Sequence, residues 1–291
     1  MKPAAFDYFA PKTIDEALTL LAEYGYDAKP LAGGQSLVPT MNFRLAQPAV
    51  LIDLNGVDDL FFIRESDDGL RIGAMTRQRV VERSPLVQRR APLVHETMPH
   101  IAHPQIRNRG TFGGSLAHAD PASELPVLAV ILNARMRLQN SQGARWVEAR
   151  DFYLGLFATD LQPDELLVEI AIPDLPARTG WAFDEVARRH GDYALAGVAA
   201  TVALAADGSV DTARLVYLSV GDFPTQAFHA ESLLAGEQPT PAAIRAAGEV
   251  AAAQDIDPIG DIHASADFRR HLAKVLAVRV LTKAVERVKE R

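Results

Sequence analysis

The chain has 291 residues, of which 48% are hydrophobic and 23% charged, a composition that excludes a mainly disordered or filamentous protein. Its 30 Lys and Arg against 37 Asp and Glu give a net charge of −7, which disfavours nucleic acid as a partner because a phosphate backbone would be repelled. The absence of cysteine excludes disulfides and thiolate-bound metal or iron–sulfur centres within the chain, so redox chemistry here would need an organic cofactor.

The apolar segments of the sequence are short. None approaches the roughly 18 uninterrupted apolar residues of a membrane-spanning helix, and the N-terminal segment lacks the apolar core of a signal peptide. We expect a soluble cytoplasmic protein.

Residues 1–56 predict a small α/β unit. Thr13 to Glu16 form a capping-box pattern ahead of leucines at helical spacing, which predicts a helix over about 13–24. An apolar run at 29–32 leads into Gly33-Gly34, and a second apolar run follows at 50–54. This order predicts strand, loop, helix and strand.

Residues 57–176 predict a second unit of mixed β structure. Segments 61–65 and 70–74 flank Asp67-Asp68-Gly69, which is typical of a hairpin. Segments 135–139 and 145–149 indicate a second hairpin, and 165–172 indicates a strand that ends at Pro173. Helical patterns at about 76–83 and 122–132 interrupt these strands.

In residues 177–291, three strand patterns are followed only by helical patterns. This order of elements indicates a separate C-terminal α+β domain. The strand patterns cover 181–187, 194–204 and 213–220. The helical patterns cover about 227–235, 241–254 and 264–289.

Two glycine pairs are the main candidates for chemistry, in Leu31 to Val38 and in Thr111 to Ala117. Adjacent glycines permit positive φ and close approach, so that successive backbone N–H groups can converge on an anion. Two such loops suit the two phosphates of a dinucleotide, although each pair could also be an ordinary turn. Neither loop fits a P-loop or the G-x-G-x-x-G fingerprint.

Histidine and acidic residues form two further groups. His95, His100 and His103 do not favour a metal site, because prolines interrupt the segment and no carboxylate completes the set. His118 and Glu124, with Asp120 between them, suit either ligand contact or the start of a helix, and the sequence favours neither.

Three ordered blocks carry a family resemblance. Ala32 to Pro39, Thr111 to Pro121 with Glu124 to Pro126, and Arg188 to Ala194 resemble the FAD-binding medium subunit of molybdenum hydroxylases. The resemblance is to the medium subunit of carbon monoxide dehydrogenase and of nicotine dehydrogenase, and to the equivalent domain of xanthine dehydrogenase. It runs essentially from end to end.

The resemblance implies an α+β flavoprotein with the FAD-binding fold of vanillyl-alcohol oxidase and p-cresol methylhydroxylase. Two N-terminal FAD-binding subdomains, 1–56 and 57–176, would precede a C-terminal domain at 177–291 with a three-stranded antiparallel sheet and helices. The cofactor would be FAD.

The resemblance also implies a set of cofactor-binding residues, with no catalytic or metal-binding residue on this chain. His118 and Glu124 would contact the ribityl or pyrophosphate region, with Asp120 a weaker candidate, and Ile101, Leu167 and Tyr193 would flank the flavin ring or the adenine. The pyrophosphate would be held by Leu31, Ala32, Gly33, Gly34, Gln35, Ser36, Leu37, Val38, Thr111, Gly113, Gly114 and Ser115.

The function implied is electron transfer within a heterotrimeric molybdenum hydroxylase. A large molybdopterin-binding subunit would oxidise the substrate, a small subunit with two iron–sulfur clusters would relay electrons, and FAD on this chain would pass them to an external electron acceptor. Two alternatives are a self-contained FAD-dependent oxidase or reductase and a non-catalytic assembly subunit.

Overall fold

The computed structural model describes residues 1–290. Its first unit is a three-stranded parallel sheet in the order β1-β3-β2, formed by β1 (Asp7–Phe9), β2 (Ala28–Leu31) and β3 (Val50–Asp53). Helix α1 (Ile14–Tyr24) begins as predicted, with the Thr13 side chain accepting a hydrogen bond from the Glu16 N–H. Helix α2 (Leu37–Asn42) follows the first glycine pair.

The second unit is built on a five-stranded sheet in the order β4-β5-β10-β6-β7. Both predicted hairpins and the predicted strand at 165–172 are confirmed, but every pairing is antiparallel, so the sheet itself is not mixed. A separate two-stranded ribbon pairs β8 with β9. The strands are β4 (Ile63–Ser66), β5 (Gly69–Gly73), β6 (Arg135–Asn140), β7 (Gly143–Glu148), β8 (Tyr153–Gly155), β9 (Ala158–Thr159) and β10 (Leu166–Pro173).

Helices between β5 and β6 are more numerous than the sequence predicted. Only α3 and α8 correspond to the predicted helices. As predicted, no continuous helix spans His95 to His103, because one α-helix ends at Thr97 and the next begins at Pro104. Pro85, Pro92 and Pro104 begin helices, because a proline in the first turn sacrifices an N–H that has no helical partner there. The helices are α3 (Gln78–Arg83), α4 (Pro85–Arg90), α5 (Pro92–Thr97), α6 (Pro104–Arg109), α7 (Phe112–His118) and α8 (Glu124–Ile131), with α9 (Ala149–Phe152) after β7.

The C-terminal domain has an antiparallel sheet in the order β11-β12-β13-β14. The expected three strands are therefore joined by a fourth strand of two residues. The strands are β11 (Thr179–Ala187), β12 (Ala194–Leu204), β13 (Val210–Leu218) and β14 (Thr225–Gln226). The helices are α10 (Phe228–Leu234), α11 (Pro241–Val250), which continues as a π-helical turn, and α12 (Ala266–Lys289).

Three apolar cores join these units. Met75 and Val168 of the second unit pack in the core of the first, and Phe183 and Ala199 of the C-terminal sheet pack in the core of the second. The opposite face of that sheet, which includes Ala200, packs with α10, α11 and α12. Each unit is therefore held against the next by shared apolar burial. No helix within residues 1–290 combines the length and apolar character needed to cross a bilayer.

Candidate cofactor site

The fold brings the two glycine pairs into contact. A Cβ atom placed on Gly33 would lie 2.6 Å from the Arg109 carbonyl oxygen and 2.7 Å from the Gly110 Cα. A Cβ atom on Gly114 would lie 3.2 Å from the Ala32 Cβ. These distances leave no room for a side chain at Gly33, so the first loop packs directly on the backbone that leads into the second.

The second loop is anchored to the five-stranded sheet. Gly113 N–H donates to the Ala74 carbonyl at 2.9 Å, and Ala74 N–H donates to the Val168 carbonyl at 3.0 Å. A Cβ atom on Gly113 would lie 2.5 Å from the Ala74 Cβ. Close approach, rather than an unusual backbone conformation, therefore requires glycine at this position.

Positive φ is found at only one of the four glycines. Gly34 has φ 72°, whereas Gly33, Gly113 and Gly114 lie outside the positive-φ region. The expectation that both pairs use positive φ is therefore wrong for the second pair, whose glycines lie inside α7.

Free backbone donors are concentrated in the first loop. Among residues 1–290, the N–H groups of Gly33 to Leu37 find no hydrogen-bond acceptor. In the second loop, Gly113 N–H is taken by Ala74 and Gly114 N–H donates to the Thr111 hydroxyl at 3.1 Å. The expected convergence of N–H groups on an anion thus belongs to the first loop, and the second supports it.

Side chains of the predicted loop residues have different environments. Gln35 donates its Nε2–H to the Gly33 carbonyl at 2.9 Å, so this side chain braces its own loop. The hydroxyls of half-buried Ser36 and Ser115 have no partner within the described chain. They remain available as donors to a ligand. The Leu31 and Val38 side chains lie 3.2 and 3.3 Å from the position that a Cβ atom on Gly34 would take.

A polar network that the sequence did not reveal ties the loops together. Asn55 donates its Nδ2–H to the Ala32 carbonyl at 3.0 Å. The Arg77 guanidinium donates both to the Asn55 side-chain oxygen and to the Arg109 carbonyl. These bonds connect the first loop to the strand that follows it and to the residues before the second loop.

The charge beside the loops is positive. Burial lowers the pKa of Arg77, and the nearby Arg109 charge lowers it further, whereas Asp53 opposes this change. Arg109 forms no ion pair with a carboxylate among residues 1–290. Arg109 stands just before the second loop in the sequence, so its position could have indicated a cation near that loop. Nothing in the sequence around Arg77 indicates that it lies near either loop. The Arg77 guanidinium, which reaches the Arg109 carbonyl beside Gly33, and the free N–H groups of the first loop suit an anion.

The other predicted residues form a second group at the start of α8. Burial raises the pKa of Glu124 to about 8, and the charges of Glu185 and Asp120 add to this effect. The ring of Tyr193 is 66% exposed, and partial burial of its hydroxyl together with the charges of Asp120 and Glu124 raises the pKa of that hydroxyl. Burial lowers the pKa of His118, which contacts Phe157 with ring centroids 5.1 Å apart.

The side chains of Ile101 and Leu167 are less accessible to a bound cofactor than those of the other predicted contact residues. Both side chains belong to the core of the second unit, with 7% and 4% exposure. The Arg107 guanidinium donates to the Ile101 carbonyl at 2.7 Å and fixes the backbone there. Leu167 lies beside an irregularity in β10, next to the Val168 that anchors Ala74. Their contacts with a flavin stay predictions.

Comparison with known families covers nearly the whole chain. The family described as "FAD binding domain in molybdopterin dehydrogenase" matches residues 4–175. The family described as "CO dehydrogenase flavoprotein C-terminal domain" matches residues 181–284. The glycine loops, Asn55, Arg77 and Glu124 lie in the first match, and Glu185 and Tyr193 lie in the second.

Curated relatives and solved structures agree with these matches. The chain is 43% identical to the 6-hydroxypseudooxynicotine dehydrogenase complex subunit alpha of Paenarthrobacter nicotinovorans, over 99% of this chain and 97% of that one. It is 39% identical to the carbon monoxide dehydrogenase medium chain of Hydrogenophaga pseudoflava, over 98% of both chains. A solved carbon monoxide dehydrogenase structure from Hydrogenophaga pseudoflava superposes with a TM-score of 0.95 at 41% identity, covering 99% of each chain.

Proposed function

Because this chain belongs to the family of FAD-binding medium subunits of the molybdenum hydroxylases, we propose that it takes electrons from iron–sulfur clusters on a partner chain and passes them through FAD to an external acceptor. The observation that supports this most is the run of free N–H groups from Gly33 to Leu37. Since the chain has no cysteine, cysteine-ligated clusters must be supplied by another chain.

The first loop and its cations would hold the pyrophosphate of FAD. Free N–H groups from Gly33 to Leu37 offer several donors to one anion, and Arg77, bonded to the Arg109 carbonyl next to Gly33, supplies positive charge near them. Ser36 and Ser115 would add hydroxyl donors. The second loop would mainly form one side of the binding site without donating backbone hydrogen bonds to the phosphates, because its own N–H groups are already paired.

The residues around α8 would position the rest of the cofactor. Glu124 and His118 would face the ribityl chain, and the exposed ring of Tyr193 would cover one face of the flavin by stacking. Ile101 and Leu167 would support the ring from the core of the second unit.

Flavin supplies the redox chemistry, since it exchanges electrons both singly and in pairs. The protein would bind the cofactor, exclude water from one face of its ring and set the charges around it. No side chain on this chain is required as a nucleophile or as an acid or base toward the organic substrate. Substrate oxidation would occur on the partner subunit.

The proposed assembly has three kinds of chain. A large molybdopterin-binding subunit and a small subunit with two iron–sulfur clusters would accompany this one, in line with relatives whose names describe a complex subunit and a medium chain. We propose three structural divisions, at 1–56, 57–176 and 177–291. The substrate would be selected by the large subunit, and the cytoplasmic location expected from the sequence stays a prediction.

The composition of the purified assembly tests this proposal. An affinity-tagged chain isolated from its native host should co-purify with two further chains and contain FAD, iron, acid-labile sulfide and molybdenum. A chain that elutes alone with FAD and oxidises an organic substrate would instead favour the self-contained oxidase or reductase. A chain that elutes with partners but binds no flavin, even when FAD is added, would favour the non-catalytic assembly subunit.

A further inference from the structure

The carboxylate of Asp53 lies at the edge of the first sheet where the first loop begins. Asp53 ends β3, the central strand of the order β1-β3-β2, and is paired with Leu31, the last residue of β2. Because the three strands are parallel, their carboxyl ends meet at one edge, where such sheets bind their ligands. Asp53 is therefore a neighbour of the first loop, although α2 separates the two in the sequence.

Three hydrogen bonds hold the Asp53 carboxylate in one orientation. The Tyr8 hydroxyl, on β1, donates to Oδ2 at 2.5 Å. The Asn55 backbone N–H donates to Oδ1 at 2.9 Å, and the Asn55 Nδ2–H donates to the same oxygen at 2.5 Å. Burial raises the pKa of Asp53, but the bonds from Tyr8 and Asn55 and the charge of Arg77 outweigh it and lower the pKa below its ordinary value. Asp53 is thus an anion at neutral pH, and both of its oxygens accept bonds from this chain.

The orientation of the Asn55 amide depends on that carboxylate. Its Nδ2 group donates one hydrogen to Asp53 and the other to the Ala32 carbonyl, and its oxygen accepts from Arg77. A flipped amide would turn its oxygen toward Asp53 and the Ala32 carbonyl, and its NH2 group toward the Arg77 guanidinium. All three contacts would then be repulsive. The negative Asp53 and the positive Arg77 therefore select one of the two amide orientations.

The selected orientation holds the first loop from two sides. Ala32, whose carbonyl accepts from Asn55, directly precedes the run of free N–H groups. Arg77, held by the amide oxygen, donates to the Arg109 carbonyl, which lies beside Gly33. Loss of this orientation would release both contacts, so the free N–H groups would no longer be held toward one point.

We propose that Asp53 and Tyr8 are positioning residues of the cofactor site, which act through Asn55 to hold the first loop in the conformation that binds the pyrophosphate of FAD. This inference rests on the proposed function. Neither side chain needs to touch the cofactor, because their bonds are made within the protein. A negative charge near a phosphate would weaken binding by repulsion. Positioning and charge therefore predict opposite effects when Asp53 is removed.

Two substitutions at Asp53 separate its hydrogen bonds from its charge. Asp53→Ala removes the acceptor that orients Asn55, so FAD affinity should fall by about tenfold. Asp53→Asn keeps an oxygen that can accept from Asn55 and gains an N–H that can donate to the Tyr8 oxygen. This variant should bind FAD within about twofold of the unsubstituted chain. Titration of the full chain with FAD, followed by flavin fluorescence, measures both affinities.

Tyr8→Phe removes only the hydroxyl that locks the carboxylate and should weaken FAD binding by about threefold. Asp7→Ala is the matched control, because Asp7 is an exposed residue of the same strand with no side-chain hydrogen bond among the described residues. It should bind FAD with unchanged affinity. At saturating FAD, the visible spectrum of the flavin should be the same in every variant, because the substitutions act at the pyrophosphate and not at the ring.

A double substitution tests whether Asp53 acts through Asn55. In that case Asp53→Ala, added to Asn55→Ala, should lower FAD affinity by less than about twofold beyond Asn55→Ala alone. Fully additive losses would overturn the proposal, and so would equal losses in Asp53→Ala and Asp53→Asn.

The FAD affinity of Asp53→Ala decides between positioning and repulsion. An affinity equal to or above that of the unsubstituted chain would overturn the positioning role and leave the proposed function intact. If Asp53→Ala does not fold, Tyr8→Phe decides instead, because Tyr8 is 54% exposed and its hydroxyl can be lost without loss of the fold. Unchanged affinity in Tyr8→Phe would then overturn the proposal. An unsubstituted chain that binds no FAD would overturn the proposed function and this inference together.

Discussion

Gly33 is the residue at which the contact between the loops is tightest. A valine there would place Cβ 2.6 Å from a backbone oxygen of Arg109, which cannot move without displacing the second loop. We expect Gly33→Val to lose FAD binding and roughly 1–3 kcal/mol of unfolding free energy. Flavin content and urea denaturation measure these effects.

The exposed Ala49 provides a control, since Ala49→Val adds bulk just before β3 and outside the loop. That variant should keep its flavin. Full flavin content in Gly33→Val would show that the first loop is only a structural turn.

Tyr193 offers a separate test at the opposite end of the proposed site. Its ring is 66% exposed, so stacking on a flavin can bury it at little cost to the fold. Tyr193→Ala should weaken FAD binding by about 1 kcal/mol, or about fivefold, and should shift the flavin spectrum and reduction potential. Tyr193→Phe keeps the stacking surface and should retain the spectrum. Unchanged spectrum and potential in Tyr193→Ala would leave this residue with a packing role only.

At the scale of residues, the sequence located the glycine loops but not the reasons for their glycines. Gly33 and Gly113 are required by close approach to Arg109 and Ala74, and such contacts between distant segments leave no local pattern. Asn55 and Arg77 were missed for the same reason, because a single amide or guanidinium in a loop has no spacing that predicts its partner.

At the scale of elements, the Asn55 bridge between β3 and the first loop should control cofactor affinity. Asn55→Ala removes the bond to the Ala32 carbonyl and leaves the Arg77 guanidinium without one acceptor. We expect FAD binding to weaken by about 1–3 kcal/mol, which is roughly fivefold to 150-fold in affinity, while the far-ultraviolet circular dichroism is retained. Titration with FAD followed by flavin fluorescence measures the change.

Asn108, which is exposed and forms no side-chain hydrogen bond within the described residues, is the matched control. Asn108→Ala should bind FAD with unchanged affinity. Equal affinity in Asn55→Ala would mean that the bridge does not position the first loop.

The elements that the sequence predicted well are those with sustained periodicity. The hairpins β4–β5 and β6–β7 and the long helix α12 carry repeated apolar positions and clear turn residues. The short helices α4 to α6 were missed, because six residues give too few helical repeats and their first-turn prolines resemble breaks. Strand β14 has two residues, which is too short for any pattern.

At the scale of the whole molecule, the C-terminal sheet places Tyr193, just before β12, where the charges of Asp120 and Glu124 act on it. One face of this sheet packs in the core of the second unit and the other against its own helices. All of β12 is consequently buried. The sequence showed the apolar strand, but not which unit it faces, because both faces are apolar.

In the proposed assembly this chain would bind the cofactor and a partner chain would oxidise the substrate. The most direct measurement is anaerobic flavin absorbance after substrate addition, recorded for the isolated FAD-loaded chain and for the complete complex. We predict bleaching only in the complex, while dithionite bleaches both. Substrate-dependent bleaching of the isolated chain, at a rate matching that of the complex, would contradict the account.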